Sequence, residues 1–191
     1  MNITALVLAG GEGSRMGGQD KGLQCWHGLP LIDHVLQTVA PQVQQVLISA
    51  NRHLADYATR RFSVFSDDAQ WQGLGPLAAL ATLAQQSRCL HDSDWLLVVP
   101  CDTPQLPKHL VQHLYQAATQ QTETQICYAI TPEREHYSVF LVRPNCLSDV
   151  APYLQQGGRS IRGWLKQYRS ATAWFEQELA FKNINTLAEL Q

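Results

Sequence analysis

The chain lacks an excess of either charge. Its 14 lysine and arginine residues nearly balance its 16 acidic residues, and the formal net charge is −2. A protein that binds nucleic acid through general attraction to phosphates needs a clear excess of positive charge. Nucleic acid is therefore not an expected partner, and any bound anion must be held by a local site.

Long apolar runs are also missing. No stretch approaches the roughly 20 residues that a membrane-spanning helix requires. The first residues, MNITALVLAGG, lack the charged region and long apolar segment of a secretory signal, and they are predicted to form a first strand. We therefore expect a cytoplasmic protein without a membrane partner.

The five cysteines show no pattern typical of a metal centre or of a disulfide framework. They are scattered, and no two have C-x-x-C spacing. Scattered cysteines of this kind are expected to be small apolar side chains that are buried or half-buried. The sequence also lacks internal repeats, low-complexity tracts and linkers, so residues 1–191 are predicted to form a single domain.

What the chain does have is an alternation of short apolar runs and helical patterns. Runs of the kind buried on both faces of a parallel sheet are Ala5–Ala9, Val46–Ala50 and Trp95–Val99. Further strands are predicted over Ser63–Ser66, Gln125–Ile130 and Tyr137–Val142, and helices are predicted after Pro30, Pro76 and Pro107 and at Thr186. This order predicts an α/β fold, a mostly parallel central sheet flanked by helices.

Four polar or glycine-rich segments follow predicted strands. They are LAGGEGSRMGGQDKGL at residues 8–23, SANRH at 49–53, DD at 67–68 and PCDTP at 100–104. Ligands of open parallel sheets bind outside the carboxyl ends of the strands. We therefore expect these four segments to form one site.

The glycine-rich segment fits neither of two common phosphate-binding loops. A dinucleotide loop requires G-x-G-x-x-G, but after Gly11 and Gly13 the third position is Met16. A Walker A loop requires Gly-Lys-Ser/Thr, whereas here Lys21 stands between Asp and Gly. The segment could bind phosphate through backbone amides, with Arg15 and Lys21 adding charge, or it could be a turn with two solvated cations.

The pattern L-A-G-G-x-x-x-R-M-G-G-x-D-K-G closely resembles the signature loop of the molybdenum cofactor guanylyltransferases, which are nucleotidyltransferases with a Rossmann-like fold. Five further segments resemble motifs of that family in the same order: GLPLIDHV, SANRH, GPLAAL, PCDTP and NINTLAEL. The resemblance implies transfer of GMP from GTP to the terminal phosphate of molybdopterin, with release of pyrophosphate. It also implies Mg²⁺ as cofactor and transient contact with molybdenum cofactor biosynthesis proteins or apo-molybdoenzymes.

The resemblance also implies residue roles. The catalytic residues would be Arg15, Lys21 and Asp102, with Asp102 as the metal ligand. GTP would be bound by Leu8, Ala9, Gly10, Gly11, Lys21, Ser49, Asn51, Asp67, Asp68 and Asp102. The acceptor would be bound by Asn183 and Asn185. These residue types suit the reaction, because phosphoryl transfer depends mainly on positioning the substrates and on neutralising their charge.

Several assignments stay open on the sequence alone. Ser49 stands where the family has asparagine, and Asp67 and Asp68 compete for one position near the ribose. Asp102 could simply begin a turn, and Asn185 could belong only to a helix cap.

The acceptor side and the substrate also leave alternatives. Tyr137 replaces a proline expected after the histidine, which leaves the acceptor-side roles of Arg134 and His136 open. A related nucleotidyltransferase that uses CTP or a sugar-phosphate acceptor is one alternative function. A nucleotide-binding module without turnover is another.

Overall fold

The alternating pattern folds into a sheet with helices on both faces. The computed structural model describes residues 2–11, 19–86 and 90–190. Within these ranges the strands are β1 (Ile3–Leu8), β2 (Cys25–Trp26), β3 (Leu29–Pro30), β4 (Gln45–Ser49), β5 (Ser63–Phe65), β6 (Trp95–Pro100), β7 (Ile126–Ile130), β8 (Glu135–Val142) and β9 (Ser170–Trp174). The α-helices are α1 (Leu31–Val39), α2 (Leu54–Ala58), α3 (Pro76–Gln85), α4 (Leu110–Thr119), α5 (Val150–Gln155) and α6 (Ile161–Leu165).

Seven of the described strands form the central sheet, in the order β5-β4-β1-β6-β8-β7-β9. The pairs β4–β5, β1–β4, β1–β6 and β7–β9 are parallel, whereas β8 runs antiparallel to β6 and β7. The prediction of a mostly parallel sheet flanked by helices is therefore confirmed. Among the described residues, no helix has the length and apolar character needed to cross a bilayer.

The two central strands are apolar on both sides because both of their faces are covered. In β1, Ala5 and Val7 pack in a core with side chains of α1 and α4, whereas Leu6 faces the opposite core with α3, α5 and α6. Full burial of a large aliphatic side chain contributes about 1.5–3 kcal/mol. The two cores thus hold β1 and β6 rigidly and fix where the loops at their ends begin.

A short hairpin connects the glycine-rich segment to α1. Strands β2 and β3 pair around His27 and Gly28, whose φ angles of +48° and +83° are typical of a type I′ turn. The Leu31 amide then donates to the carbonyl of Gln24 at 2.9 Å. The 3₁₀ turn Lys21–Leu23, which precedes the hairpin, is thereby tied to the start of α1.

The later part of the chain differs most from expectation. Strand β9 was not predicted, because as an edge strand it alternates exposed and buried residues and has no continuous apolar run. The final helix is a 3₁₀ turn, Leu187–Leu190. Its predicted capping contact is present, since Glu189 Oε2 accepts from the Thr186 amide at 3.1 Å.

Candidate active site

Lys21 and Asp102 meet at the carboxyl edge of the sheet. Lys21 begins the 3₁₀ turn that follows the glycine-rich segment, and Asp102 lies two residues beyond β6. The Lys21 ammonium donates to Asp102 Oδ2, and it donates also to Asn185 Oδ1 at 2.8 Å. The two charged side chains keep only 20% and 13% of their surface exposed. A cation and an anion are therefore held together at the carboxyl edge of the sheet.

The segment around Asn183 and Asn185 completes this cluster. Asn183 Nδ2 donates to Asp102 Oδ1 at 3.0 Å, and the Ile184 amide donates to the Asp102 carbonyl at 2.9 Å. Thr103 Oγ1 donates in turn to Asn183 Oδ1 at 3.3 Å. Both carboxylate oxygens of Asp102 thus have a protein partner, and the C-terminal segment is fastened to the end of β6.

Asn185 takes part both in the cap of the final turn and in the cluster around Lys21. Its backbone amide donates to Glu189 Oε2 at 2.8 Å, as part of the cap of the final turn. Its side chain accepts from Lys21 at the same time. The cap therefore helps to orient an amide oxygen towards the Lys21 ammonium.

A second polar cluster lies after β4 and β5. Asn51 Nδ2 donates to Asp67 Oδ2 at 2.7 Å, and the Asp67 amide donates back to Asn51 Oδ1 at 2.9 Å. Ser49 Oγ donates to Asp67 Oδ1 at 3.4 Å. Burial raises the pKa of the Asp67 carboxyl above its ordinary value, and the hydrogen bonds from Asn51 and Ser49 oppose that shift.

Asp68 has a different environment from its neighbour. Its carboxylate accepts from the Gln70 amide at 3.0 Å, and its own amide donates to Thr82 Oγ1 at 2.8 Å. Asp67 is buried, whereas Asp68 is partly exposed. The structure therefore brings Asp67 together with Ser49 and Asn51 and leaves Asp68 nearer to solvent.

The backbone of residues 8–11 runs between the two clusters. The Ala9 amide donates to the Ser49 carbonyl at 2.8 Å, and the Leu8 carbonyl accepts from the Cys101 amide at 3.0 Å. A Cβ on Gly10 would lie 2.9 Å from Asn51 Nδ2, so a side chain here would push the Asn51 amide away from Asp67. Beside it, the Gly11 carbonyl accepts from the Arg52 guanidinium at 3.3 Å.

Arg15 lies outside the described residues, and its catalytic role stays a prediction. On the acceptor side, His136 is buried, with Nε2 at 2.8 Å from Thr131 Oγ1 and its ring stacked on Phe181. Burial, reinforced by the Arg134 charge, lowers the pKa of His136. Arg134 itself is paired with Glu178 at 3.1 Å.

Two residues beneath Lys21 were not assigned a role from the sequence. Asp20 and Tyr57 are both buried, and the Tyr57 hydroxyl donates to Asp20 Oδ1 at 2.5 Å. Asp20 directly precedes Lys21, but no local sequence pattern connects it with Tyr57, 37 positions along the chain.

The cluster around Asp102 suits a small hard cation shared with a ligand. Mg²⁺ binds oxygen atoms and is usually held by one or two carboxylates together with substrate phosphates and waters. Asp102 supplies a carboxylate, and Asn185 Oδ1 accepts from the same Lys21 ammonium that contacts it. Asn183 meets the carboxylate with its amide nitrogen. Among the described residues there is no group of three or more His, Cys, Asp or Glu side chains that could hold a metal by themselves.

Comparisons with known proteins show which family this chain resembles. A family model described as the MobA-like NTP transferase domain matches residues 5–172. A molybdenum cofactor guanylyltransferase from Neisseria meningitidis serogroup C is 45% identical, over 100% of this chain and 99% of its own length. Its counterpart from Shewanella sp. strain MR-4 is 40% identical, over 100% and 94%.

Two solved structures share the fold at low sequence identity. The molybdopterin-guanine dinucleotide biosynthesis protein A of Archaeoglobus fulgidus has a TM-score of 0.72 at 20% identity, covering 98% of this chain and 94% of its own. A nucleotidyl transferase from Methanothermobacter has a TM-score of 0.75 at 18% identity, with coverages of 98% and 94%. These neighbours confirm the Rossmann-like nucleotidyltransferase fold.

The buried Asp67 carboxyl leads to a prediction about stability. The folded protein holds the Asp67 proton more tightly than the unfolded chain, so ionisation costs folding free energy as the pH rises above the ordinary pKa of 3.8. In Asp67→Asn this cost is absent, and an amide can still accept from Asn51. We therefore expect the difference in unfolding free energy, Asp67→Asn minus wild type, to increase as the pH rises above 3.8. The difference should become constant once the wild-type carboxyl is fully ionised.

Urea unfolding at a series of pH values measures this difference. Asp68→Asn is the matched control, because it makes the same substitution at the adjacent, partly exposed position. Parallel pH profiles for Asp67→Asn and wild type would contradict a buried charge at Asp67.

Proposed function

This chain belongs to the MobA-like NTP transferase family, among the molybdenum cofactor guanylyltransferases, and we propose from that membership that it transfers GMP from GTP to molybdopterin. It is accordingly a nucleotidyltransferase. In the proposed reaction a terminal phosphate oxygen of molybdopterin attacks the α-phosphorus of GTP. The bond from that phosphorus to the bridging oxygen breaks, and pyrophosphate leaves. The observation that carries the proposal is the cluster of Lys21, Asp102, Asn183 and Asn185 at the carboxyl edge.

The contacts of Lys21 support a role in this chemistry. Both substrates are anionic, so the enzyme must lower their mutual repulsion while it holds them in line. The Lys21 ammonium is oriented by Asp102 on one side and by Asn185 on the other. A positive charge fixed in this way stabilises the departing pyrophosphate without reorganisation during the reaction. Arg15 is proposed to add a second charge.

Mg²⁺ is the proposed cofactor, with Asp102 as its protein ligand. When bound, the ion neutralises phosphate charge and draws electron density from the phosphoryl oxygens. Asn183 keeps the Asp102 carboxylate in a defined orientation, and the Ile184 amide fixes the carbonyl of the same residue. Asn183 and Asn185 are also proposed to lie beside the acceptor phosphate.

The nucleotide side would be formed by the backbone of residues 8–11 and by the cluster after β4 and β5. Asn51 is held at both ends of its amide by Asp67, and Ser49 contacts the same carboxylate. These contacts support a role for Asp67 in orienting the Ser49 and Asn51 side chains, which would contact the guanine base. Asp68, which is more exposed, is then the better placed of the two carboxylates to accept from a ribose hydroxyl.

The direct test is acceptor-dependent incorporation of label from α-phosphate-labelled GTP, with Mg²⁺ and molybdopterin. We expect labelled dinucleotide and one pyrophosphate for each transfer, in a cytoplasmic reaction whose product is passed to apo-molybdoenzymes. Faster transfer from CTP would overturn the guanine assignment, and transfer only to a sugar phosphate would overturn the acceptor. Binding of GTP without incorporation would indicate a module that does not turn over.

Removal of the Lys21 charge should slow the reaction. A hydrogen bond to a charged group is worth about 1.5–3 kcal/mol. Lys21→Ala should therefore lose about ten- to 150-fold in kcat/KM, at about 1.36 kcal/mol per decade. Lys166→Ala removes an exposed lysine of another part of the chain and serves as control. Near-normal turnover by Lys21→Ala, measured as pyrophosphate release, would exclude Lys21 from the mechanism.

The Asp102 carboxylate should set the metal requirement. Asp102→Asn keeps the size of the side chain and can still accept from Lys21, but it loses the charge that favours Mg²⁺. We expect the activity of this variant to require a higher Mg²⁺ concentration, and EDTA to abolish the wild-type activity. Asp92→Asn, at a carboxylate 94% exposed, is the control. A Mg²⁺ titration of Asp102→Asn that coincides with wild type would contradict the metal role.

A further inference from the structure

Tyr57 is a fully buried tyrosine whose hydroxyl packs against the turn that contains Lys21. It comes from α2, which follows β4, and its side chain has no exposed surface. The hydroxyl donates to Asp20 Oδ1 at 2.5 Å, and Asp20 is itself only 7% exposed. A buried carboxylate is costly unless it is hydrogen-bonded, so this contact stabilises the loop conformation that contains Asp20.

The residue on the other side of Lys21 packs against the same hydroxyl. A Cβ on Gly22 would lie 2.5 Å from Tyr57 Oη and 3.2 Å from Cys101 Sγ. The absence of a side chain at Gly22 is what allows the turn to sit between these two atoms. Both neighbours of Lys21 in the chain thus rest on Tyr57.

The same packing includes the segment that contains Asp102. Cys101, which directly precedes Asp102, is 6% exposed and lies against Gly22. Gly22, within the Lys21 turn, therefore lies between Tyr57 Oη and Cys101 Sγ, so that the turn packs closely against the start of the Asp102 segment. The distance between the Lys21 ammonium and the Asp102 carboxylate depends on that packing.

The short helix α2 is itself anchored. Arg60, just beyond its end, donates to the two carboxylate oxygens of Asp33 at 2.5 and 2.9 Å. It also donates to the Asp56 carbonyl at 2.7 Å, and its guanidinium lies 5.7 Å from the centroid of the Tyr57 ring. A bidentate ion pair of this kind joins α2 to α1, so Tyr57 is a fixed support rather than a mobile side chain.

We propose that Tyr57 is a positioning residue for phosphoryl transfer, acting through Asp20 and Gly22 to hold Lys21 at its place beside Asp102. The inference rests on the proposed function, since it assigns to Tyr57 an effect on that reaction. Tyr57 touches no substrate in this scheme. Small displacements of groups that act in a transition state are costly, so loss of the support lowers kcat more than it weakens GTP binding.

The test is Tyr57→Phe, which keeps the ring and removes only the hydroxyl. We expect kcat to fall by about ten-fold or more, with a much smaller change in the KM for GTP. Tyr168→Phe is the matched control: its hydroxyl also donates to an aspartate, Asp149 Oδ2 at 2.8 Å, away from Lys21. Near-ultraviolet circular dichroism and thermal unfolding establish that each variant is folded at the assay temperature.

A double-mutant cycle with Asp20→Asn separates positioning from a general loss of packing. The amide of Asp20→Asn can still accept from Tyr57, so we expect the single variant to retain most of the wild-type kcat. The double variant has no buried unpaired carboxylate, yet it should lose as much kcat as Tyr57→Phe alone. Equal losses in Tyr57→Phe and Tyr168→Phe would overturn the proposal. So would recovery of the wild-type kcat in the double variant, because it would trace the loss in Tyr57→Phe to the unpaired Asp20 carboxylate.

The wild-type protein distinguishes failure of this inference from failure of the proposed function. If the wild type does not transfer GMP, the proposed function is wrong. If the wild type is active and Tyr57→Phe has the same kcat, Tyr57 is not a positioning residue.

Discussion

The parallel register of the central strands determines where every part of the candidate site lies. Leu8 pairs with Ser49 on one side and with Pro100 on the other. Because the three strands run in the same direction, the chain leaves all of them at one edge. Two cores, one on each face, hold that register in place. The glycine-rich segment, the serine and asparagine after β4 and the aspartate after β6 become neighbours for this reason.

The sequence predicted the fold well where a strand is buried on both faces, because such strands leave a continuous apolar run. Ala5–Ala9 and Trp95–Val99 fall within a residue or two of β1 and β6. The resemblance to the molybdenum cofactor guanylyltransferases is confirmed by relatives that match along the full chain. Strand β9 was missed because an edge strand with one exposed face carries a weaker signal.

The candidate site could be predicted in its residues but not in its internal contacts. The resemblance to the family's motifs was enough to propose roles for Lys21, Asp102 and the two asparagines. Spacing does not show that Asp67 holds both ends of the Asn51 amide, since that depends on how closely β4 and β5 bring their ends together. The contacts of Tyr57 with Asp20 and Gly22 could not be predicted either, because they join residues from separate elements.

The docking of Asn183 and Asn185 has a consequence for how the protein matures. The contact between Lys21 and Asn185 spans 164 positions. During synthesis β1, β4 and β6 can pair long before that part of the chain has emerged, and the sheet edge after β4 can be ordered while the Lys21–Asp102 cluster is still incomplete. The segment of Asn183 and Asn185 is therefore the last part of this cluster to be synthesised.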